Sequence, residues 1–275
     1  MPPFYVQLVM ILLAGSLLLS YGVYAFGRRS QPAVPFLANN PFPTVWDALY
    51  TAIFVTVFVG SLASTLPMSA GEEGPMQTLS ARSLLLSMLL QTLLYVPMVV
   101  RFALLPKREG TGIGLGRGVR MVLASVGVIL LFSCLLTALH VDTLIMQLTN
   151  CPEQQDVVQS MMDGNTAQRL VLAAAAIIMA PIGEEVCFRG FVYNILRQRA
   201  GVWAATLTTG VLFGAIHASL VQFLPLAFFG IVQCIIYERS KTLWVPMAVH
   251  AVFNSLSVLF ILLMPYLPET VQHAL

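Results

Sequence analysis

Residues 168–188 read QRLVLAAAAIIMAPIGEEVCF. After Gln168 and Arg169 the stretch is apolar for fourteen residues, and then carries two adjacent carboxylates, Glu184 and Glu185. Its length suits a membrane-crossing helix, which needs about 20 mainly apolar residues. Charge at membrane depth costs on the order of 2.5–3.5 kcal/mol per residue, so carboxylates held there are usually functional and usually face polar partners. The chain supplies partners in three places: Arg189 four residues further on, His217 in Phe213-Gly-Ala-Ile-His217, and both ends of His250-Ala-Val-Phe-Asn254.

The rest of the composition points the same way. Of 275 residues, 58% are hydrophobic and 9% charged, against roughly 25% charged in an ordinary soluble domain. An all-α, polytopic membrane protein is expected. Eight spans are predicted, at 6–26, 47–66, 83–105, 121–139, 168–188, 204–220, 223–238 and 244–264, with the polar groups confined to the last four. The first is read as a retained helix, since Arg28-Arg29 follows it and no basic region precedes it. Residues 1–164 then form an N-terminal block of four spans and residues 165–275 a catalytic membrane core. The net charge of +2, with no Lys/Arg run, excludes a nucleic-acid partner. Cys134, Cys151, Cys187 and Cys234 have no ligand spacing, and no disulfide is expected.

Orientation follows from the basic residues. With the N-terminus outside, the inner loops hold Arg28, Arg29, Arg101, Lys107, Arg108, Arg117, Arg120, Arg197, Arg199, Arg239 and Lys241; Arg82 and Arg169 fall outside. Trp46, Trp203 and Trp244 then begin spans at the inner interface. Both termini are expected outside the cytoplasm. Residues 27–46 read as a Pro-rich linker, 106–118 as a flexible basic loop, and 140–167 as an outer loop with room for a short amphipathic helix.

Helix geometry tests whether the polar groups can meet. The fifth span continues as helix to Arg199 and the chain turns near Ala200-Gly201. Glu184 lies about 17 residues before this turn and His217 about 16 after it, so antiparallel helices bring them to similar height. His250 lies about 9 residues beyond the turn near Ser240-Lys241, roughly 14 Å up against about 25 Å for His217. Asn254, one turn deeper on the same face, comes closer. Adjacent side chains on a helix diverge by about 100°, so Glu184 and Glu185 take different tasks, one of them pairing with Arg189. A carboxylate and an imidazole sharing a water can activate it, and His250 and Asn254 can donate to an oxyanion.

Each element also has a plain structural reading. A buried histidine can serve packing, and Glu185–Arg189 can be a structural pair. His140 and His273 read as surface groups, Cys187 as core filler, and Pro181-Ile-Gly183 as a kink before the carboxylates. Jointly these readings would require three spans to tolerate desolvated polar groups for packing alone.

At these residues the sequence resembles the CPBP family of CAAX proteases and bacteriocin-processing enzymes (Abi family), whose eukaryotic members are type II CAAX prenyl endopeptidases. The patterns EExxxR, FxxxH and HxxxN stand complete and in order at Glu184-Glu185…Arg189, Phe213…His217 and His250…Asn254. The resemblance covers about residues 165–265. It implies an intramembrane endopeptidase with a conical cavity open to lipid and to the cytosol. Glu184 and His217 would activate water, His250 and Asn254 would stabilise the oxyanion, and Glu185 and Arg189 would support the site. The family is commonly labelled metallo; here only Glu184, His217 and His250 could form a zinc set with an open position, and the metal-free reading, with no cofactor, is preferred. The implied partner is a peptide or protein substrate in the bilayer, prenylated (CAAX-type) or leader-bearing, and the implied home a bacterial plasma membrane. The competing readings are a catalytically silent scaffold or immunity-type protein of the same fold, and a proton relay or transporter. Transport would call for broken helices in both halves, whereas the polar groups cluster in one.

Overall fold

The computed structural model describes Val96 and residues 113–149, 156–217 and 219–266, and every element among them is helical. In chain order they are α1 (Leu115–Ala138), α2 (Val141–Thr149), α3 (Asp156–Asp163), α4 (Thr166–Arg197), α5 (Ala200–Ile216), α6 (Leu220–Ser240) and α7 (Trp244–Leu263, closed by a 3-10 turn at Met264–Tyr266). Helices α1, α4, α6 and α7 are long and apolar enough to cross a membrane, and α5 is a shorter apolar helix. The protein is an all-α polytopic membrane protein. The predicted spans 6–26 and 47–66, linker 27–46 and, except for Val96, span 83–105 lie outside the described residues.

The boundaries shift for local reasons. Helix α1 starts six residues before the expected 121, on an extended Gly114, so part of the predicted loop 106–118 is helical. Gly118 is what allows it: a Cβ there would sit 2.0 Å from the Trp244 ring, so α1 can lie against the start of α7 only with glycine at that point. Gly201 (φ 83°, ψ 175°) separates α4 from α5 where the turn was expected. The expected spans 204–220 and 223–238 divide earlier, because Ser219 caps α6 by accepting the Gln222 amide N–H at 3.2 Å. Outer loop 140–167 contains two short helices, α2 and α3, rather than one.

Helices α1, α4, α5, α6 and α7 run alternately up and down. One end, here the near end, collects the start of α1, the α4–α5 turn, the end of α6 and the start of α7. Arg197 of α4 reaches Glu238 of α6 there at 2.8 Å, and Lys241 pairs with the same carboxylate. The far end gathers α2, α3, the start of α4 and the end of α7, where Met161, Leu172 and Val258 pack together. Arg117, Arg120, Arg197, Arg239 and Lys241 lie at the near end with Trp203 and Trp244; Asp142, Asp163 and Arg169 lie at the far end.

Small residues bring α5 and α6 together. Gly210 and Gly214, at i and i+4, face Ala227 and Gly230; a Cβ on Gly210 would lie 2.9 Å from the Ala227 carbonyl, and one on Gly230 2.9 Å from the Gly210 Cα. This is the small-residue packing by which membrane helices approach closely. Helix α1 joins the same core through Val122, Val126 and Ile129, while Leu123 and Leu131 on its outer side are 66% and 72% exposed. An apolar outer face of that kind suits contact with lipid.

Candidate active site

Helix α4 is not uniformly α-helical. Residues Ala175–Met179 and Val186–Tyr193 are wound with the wider π turn, and the α segment between them, Ala180–Glu185, contains the two carboxylates. Pro181 explains part of this. A π turn would bond residue 181 to the carbonyl of Ala176, but proline has no N–H to give. The Asn254 side-chain amide from α7 donates to that carbonyl instead, at 2.7 Å. The expected kink at Pro181 is thus a change of winding, closed by a side chain from a neighbouring helix.

The wound segment turns Glu184 and Glu185 into the bundle, 9% and 0% exposed. Glu185 is the hub. Its Oε1 accepts from Arg189 Nη1 (3.1 Å), Gln233 Nε2 (3.1 Å) and His250 Nδ1 (2.9 Å). Arg189, fully buried, also donates from Nη2 to the Gly230 carbonyl at 3.1 Å and lies 4.8 Å from the centre of the Phe213 ring. Two donors besides the imidazole converge on this one carboxylate oxygen, which leaves it the role of acceptor toward the ring. The proton between Glu185 and His250 therefore belongs on Nδ1.

That assignment turns His250 Nε2 toward Glu184, 4.0 Å from its Oε2. Glu184 Oε2 is buried and has no hydrogen-bond partner among the described residues. The separation is too long for a direct bond and of the kind that one water bridges. His217, half-buried at the end of α5, donates Nδ1–H to the Phe213 carbonyl at 2.7 Å, because a carbonyl can only accept. Its Nε2 is left as a lone-pair nitrogen. No hydrogen bond or ion pair joins His217 to Glu184 directly. The Phe213 ring lies 4.9 Å from that of His217 and 6.0 Å from that of His250.

The structure therefore gathers Glu184, Glu185, Arg189 and His250, with His217 beside them behind Phe213. Asn254 is one turn further along α7 and engaged with Ala176. The height offset of His250 is met by the start of α7: Gln233, seven residues before the end of α6, donates at 2.9 Å to the carbonyl of Pro246, two residues into α7. Helix α7 thus begins about 7 Å inside the level at which α6 ends. His250 stands at the level of Phe213, one turn below His217. Gln233, Gly230 and Phe229 belong to the site and carry no pattern of their own; a glutamine inside the apolar run 223–236 was the available signal.

Among the described residues no three His, Cys, Asp or Glu side chains converge as a metal-holding group. Of Glu184, His217 and His250, Glu184 Oε2 and His250 Nε2 stand 4.0 Å apart, with His217 beside them behind Phe213. A cavity of about 180 Å³ adjoins the site toward the far end, lined by Ser133, Thr137 and Asp142 on one side and by Pro225, Phe229 and Phe253 on the other. The Phe229 ring lies 4.9 Å from that of His250.

Fold and site together define a helical membrane protein with a desolvated carboxylate–histidine centre. Residues 166–256 match the family of type II CAAX prenyl endopeptidases described as Rce1-like. The chain is 29% identical over 106 residues to "Putative membrane peptidase YdiL" of Bacillus subtilis, which is 38% of this chain and 43% of that protein. It is 34% identical over 88 residues to "Uncharacterized 24.3 kDa protein" of Escherichia coli, 30% of this chain and 41% of that one. The matches span less than half the length of either relative. No solved structure matches the chain. The family resemblance is borne out over α4–α7, the part of the chain that matches the family.

Proposed function

We propose that this protein is an intramembrane endopeptidase that hydrolyses a peptide bond with water activated by Glu184, without a metal or other cofactor. One observation carries the reading: the unpartnered, buried Glu184 oxygen faces His250 Nε2 at 4.0 Å, while Glu185 holds the other ring nitrogen. A water between Glu184 and the lone-pair nitrogen of His217 loses a proton as its oxygen attacks the carbonyl carbon. The carbonyl oxygen becomes an oxyanion; Glu184 hands the water's proton to His250 Nε2, and the ring then donates to the oxyanion together with the second N–H of the Asn254 amide, one such donor being worth roughly 3–4 kcal/mol. The proton taken from water passes to the leaving nitrogen, and the C–N bond breaks.

The substrate is a membrane-bound peptide or protein, prenylated at its C-terminus or leader-bearing, processed at a bacterial plasma membrane. The cavity beside Phe229 fits one apolar side chain next to the scissile bond. The test is cleavage of a panel of quenched peptides, prenylated and unprenylated, by purified wild type and Glu184→Ala. Turnover by wild type alone, undiminished by a metal chelator, supports the proposal. Equal turnover by both proteins sinks it, and loss on chelation sinks the metal-free part.

A further inference from the structure

Gln233 is fully buried near the middle of α6, and its amide ties together three helices. Nε2 donates one hydrogen to Glu185 Oε1 on α4 (3.1 Å) and the other to the Pro246 carbonyl on α7 (2.9 Å). Both neighbours can only accept, so the orientation of the amide is fixed by its partners rather than chosen. The geometry has a particular consequence for His250. Pro246 is one helical turn before it on α7, so its carbonyl sits where the His250 main-chain N–H is bonded. Gln233 therefore grips the histidine turn at its backbone and, through Glu185, at its ring. Its own Oε1 is buried without a partner among the described residues, which costs free energy.

We propose that Gln233 is a positioning residue: acting through Glu185, it holds the His250 ring with Nδ1 protonated and Nε2 turned to Glu184. This rests on the peptidase reading for its catalytic meaning, and on geometry alone for the state of the ring.

The experiment has two arms on full-length protein. In the first, kcat and KM are measured for wild type, Gln233→Met, Glu185→Gln and the double variant, with Glu184→Ala as the inactive control. Gln233→Met keeps the length and removes both donors. It is expected to lower kcat ten- to a hundredfold with KM within twofold, and the double variant is expected to be no worse than Glu185→Gln alone. Multiplying losses, or an unchanged kcat, overturns the proposal. In the second arm, protein labelled with 15N at histidine is examined by NMR, with the His250 signals assigned by a His250→Asn variant. Wild type should show one tautomer, protonated at Nδ1, and Gln233→Met should show a mixture. An unaltered tautomer overturns the proposal even if no peptide is ever cleaved. Should Gln233→Met fail to fold, Gln233→Glu serves in both arms: it keeps the shape and sets an acceptor against Glu185, so the same losses are expected.

Discussion

The Glu185 Oε1 atom lies 2.9 Å from His250 Nδ1, and Arg189 and Gln233 donate to that same oxygen. A carboxylate held by two other donors is a fixed acceptor, and a fixed acceptor sets both the tautomer and the angle of the ring that donates to it. The logic is that of an aspartate orienting the histidine of a catalytic triad. Glu185→Gln keeps shape but offers the ring an amide. Turnover is expected to fall by about 10²–10⁴-fold, the range such orienting carboxylates command, with little change in KM. Steady-state kinetics on the peptide panel checks this; a loss below threefold would show that the ring needs no orienter.

Asn254 and Pro181 form a second such relationship, and it has a sharp signature. Asn254→Ala leaves the Ala176 carbonyl without its donor, and should destabilise the protein by about 1–3 kcal/mol, the usual cost of orphaning a buried polar group. Pro181→Ala restores a main-chain N–H to the same turn. The Asn254→Ala penalty measured by thermal unfolding should therefore shrink in the Pro181→Ala background. Equal penalties in both backgrounds would mean that the amide and the missing N–H are unrelated.

These two relationships mark where the sequence was readable and where it stopped. The helices are legible because apolar runs of about 20 residues have few alternatives in a membrane. The polar constellation is legible because charge there is expensive, which made Glu184, Glu185, Arg189, His217 and His250 stand out. Asn254 stood out equally, yet its amide meets Ala176; the spacing HxxxN fixes a helix face and cannot say what occupies the opposite wall. Nor could rise per residue show that α7 starts inside the level of the end of α6, because that offset is set by the Gln233–Pro246 contact across 13 positions. The first π turn of α4 was invisible for a similar reason: its Ala176 carbonyl is met by a donor from another helix, the Asn254 amide.

Glycine makes opposite predictions at two positions. A side chain at Gly210 would meet Ile231 Cγ1 at 2.4 Å and the Ala227 carbonyl at 2.9 Å, so Gly210→Val must part α5 from α6. Overpacking of this kind costs about 1–3 kcal/mol, and α6 carries Gln233, so activity should fall with it. At Gly127 in α1 nothing among the described residues lies within 4 Å of the added Cβ. Gly127→Ala should be neutral or stabilising by up to about 1 kcal/mol from backbone entropy. Melting temperatures of the two variants in one detergent would separate tight packing from mere helix propensity.

Which side of the membrane the site opens to is decided by two arguments that pull apart. The cavity beside Phe229 reaches Asp142 and Gln222 at the far end, where α5 also ends at His217. The near end carries Arg117, Arg120, Arg197, Arg239 and Lys241, and by the preference of basic residues for the cytoplasmic face it is the end expected on the inner side. The cavity then faces outward. A cytosolic opening, which the family resemblance implies, would need the basic end outside. Charge bias over short loops is the stronger physical argument, since it acts on insertion itself. In a background with Cys134, Cys151, Cys187 and Cys234 replaced, Asp142→Cys and Gln222→Cys should react with an impermeant maleimide on intact cells, and Lys241→Cys only after permeabilisation. The reverse pattern would turn the bundle over and place substrate entry on the cytosolic side.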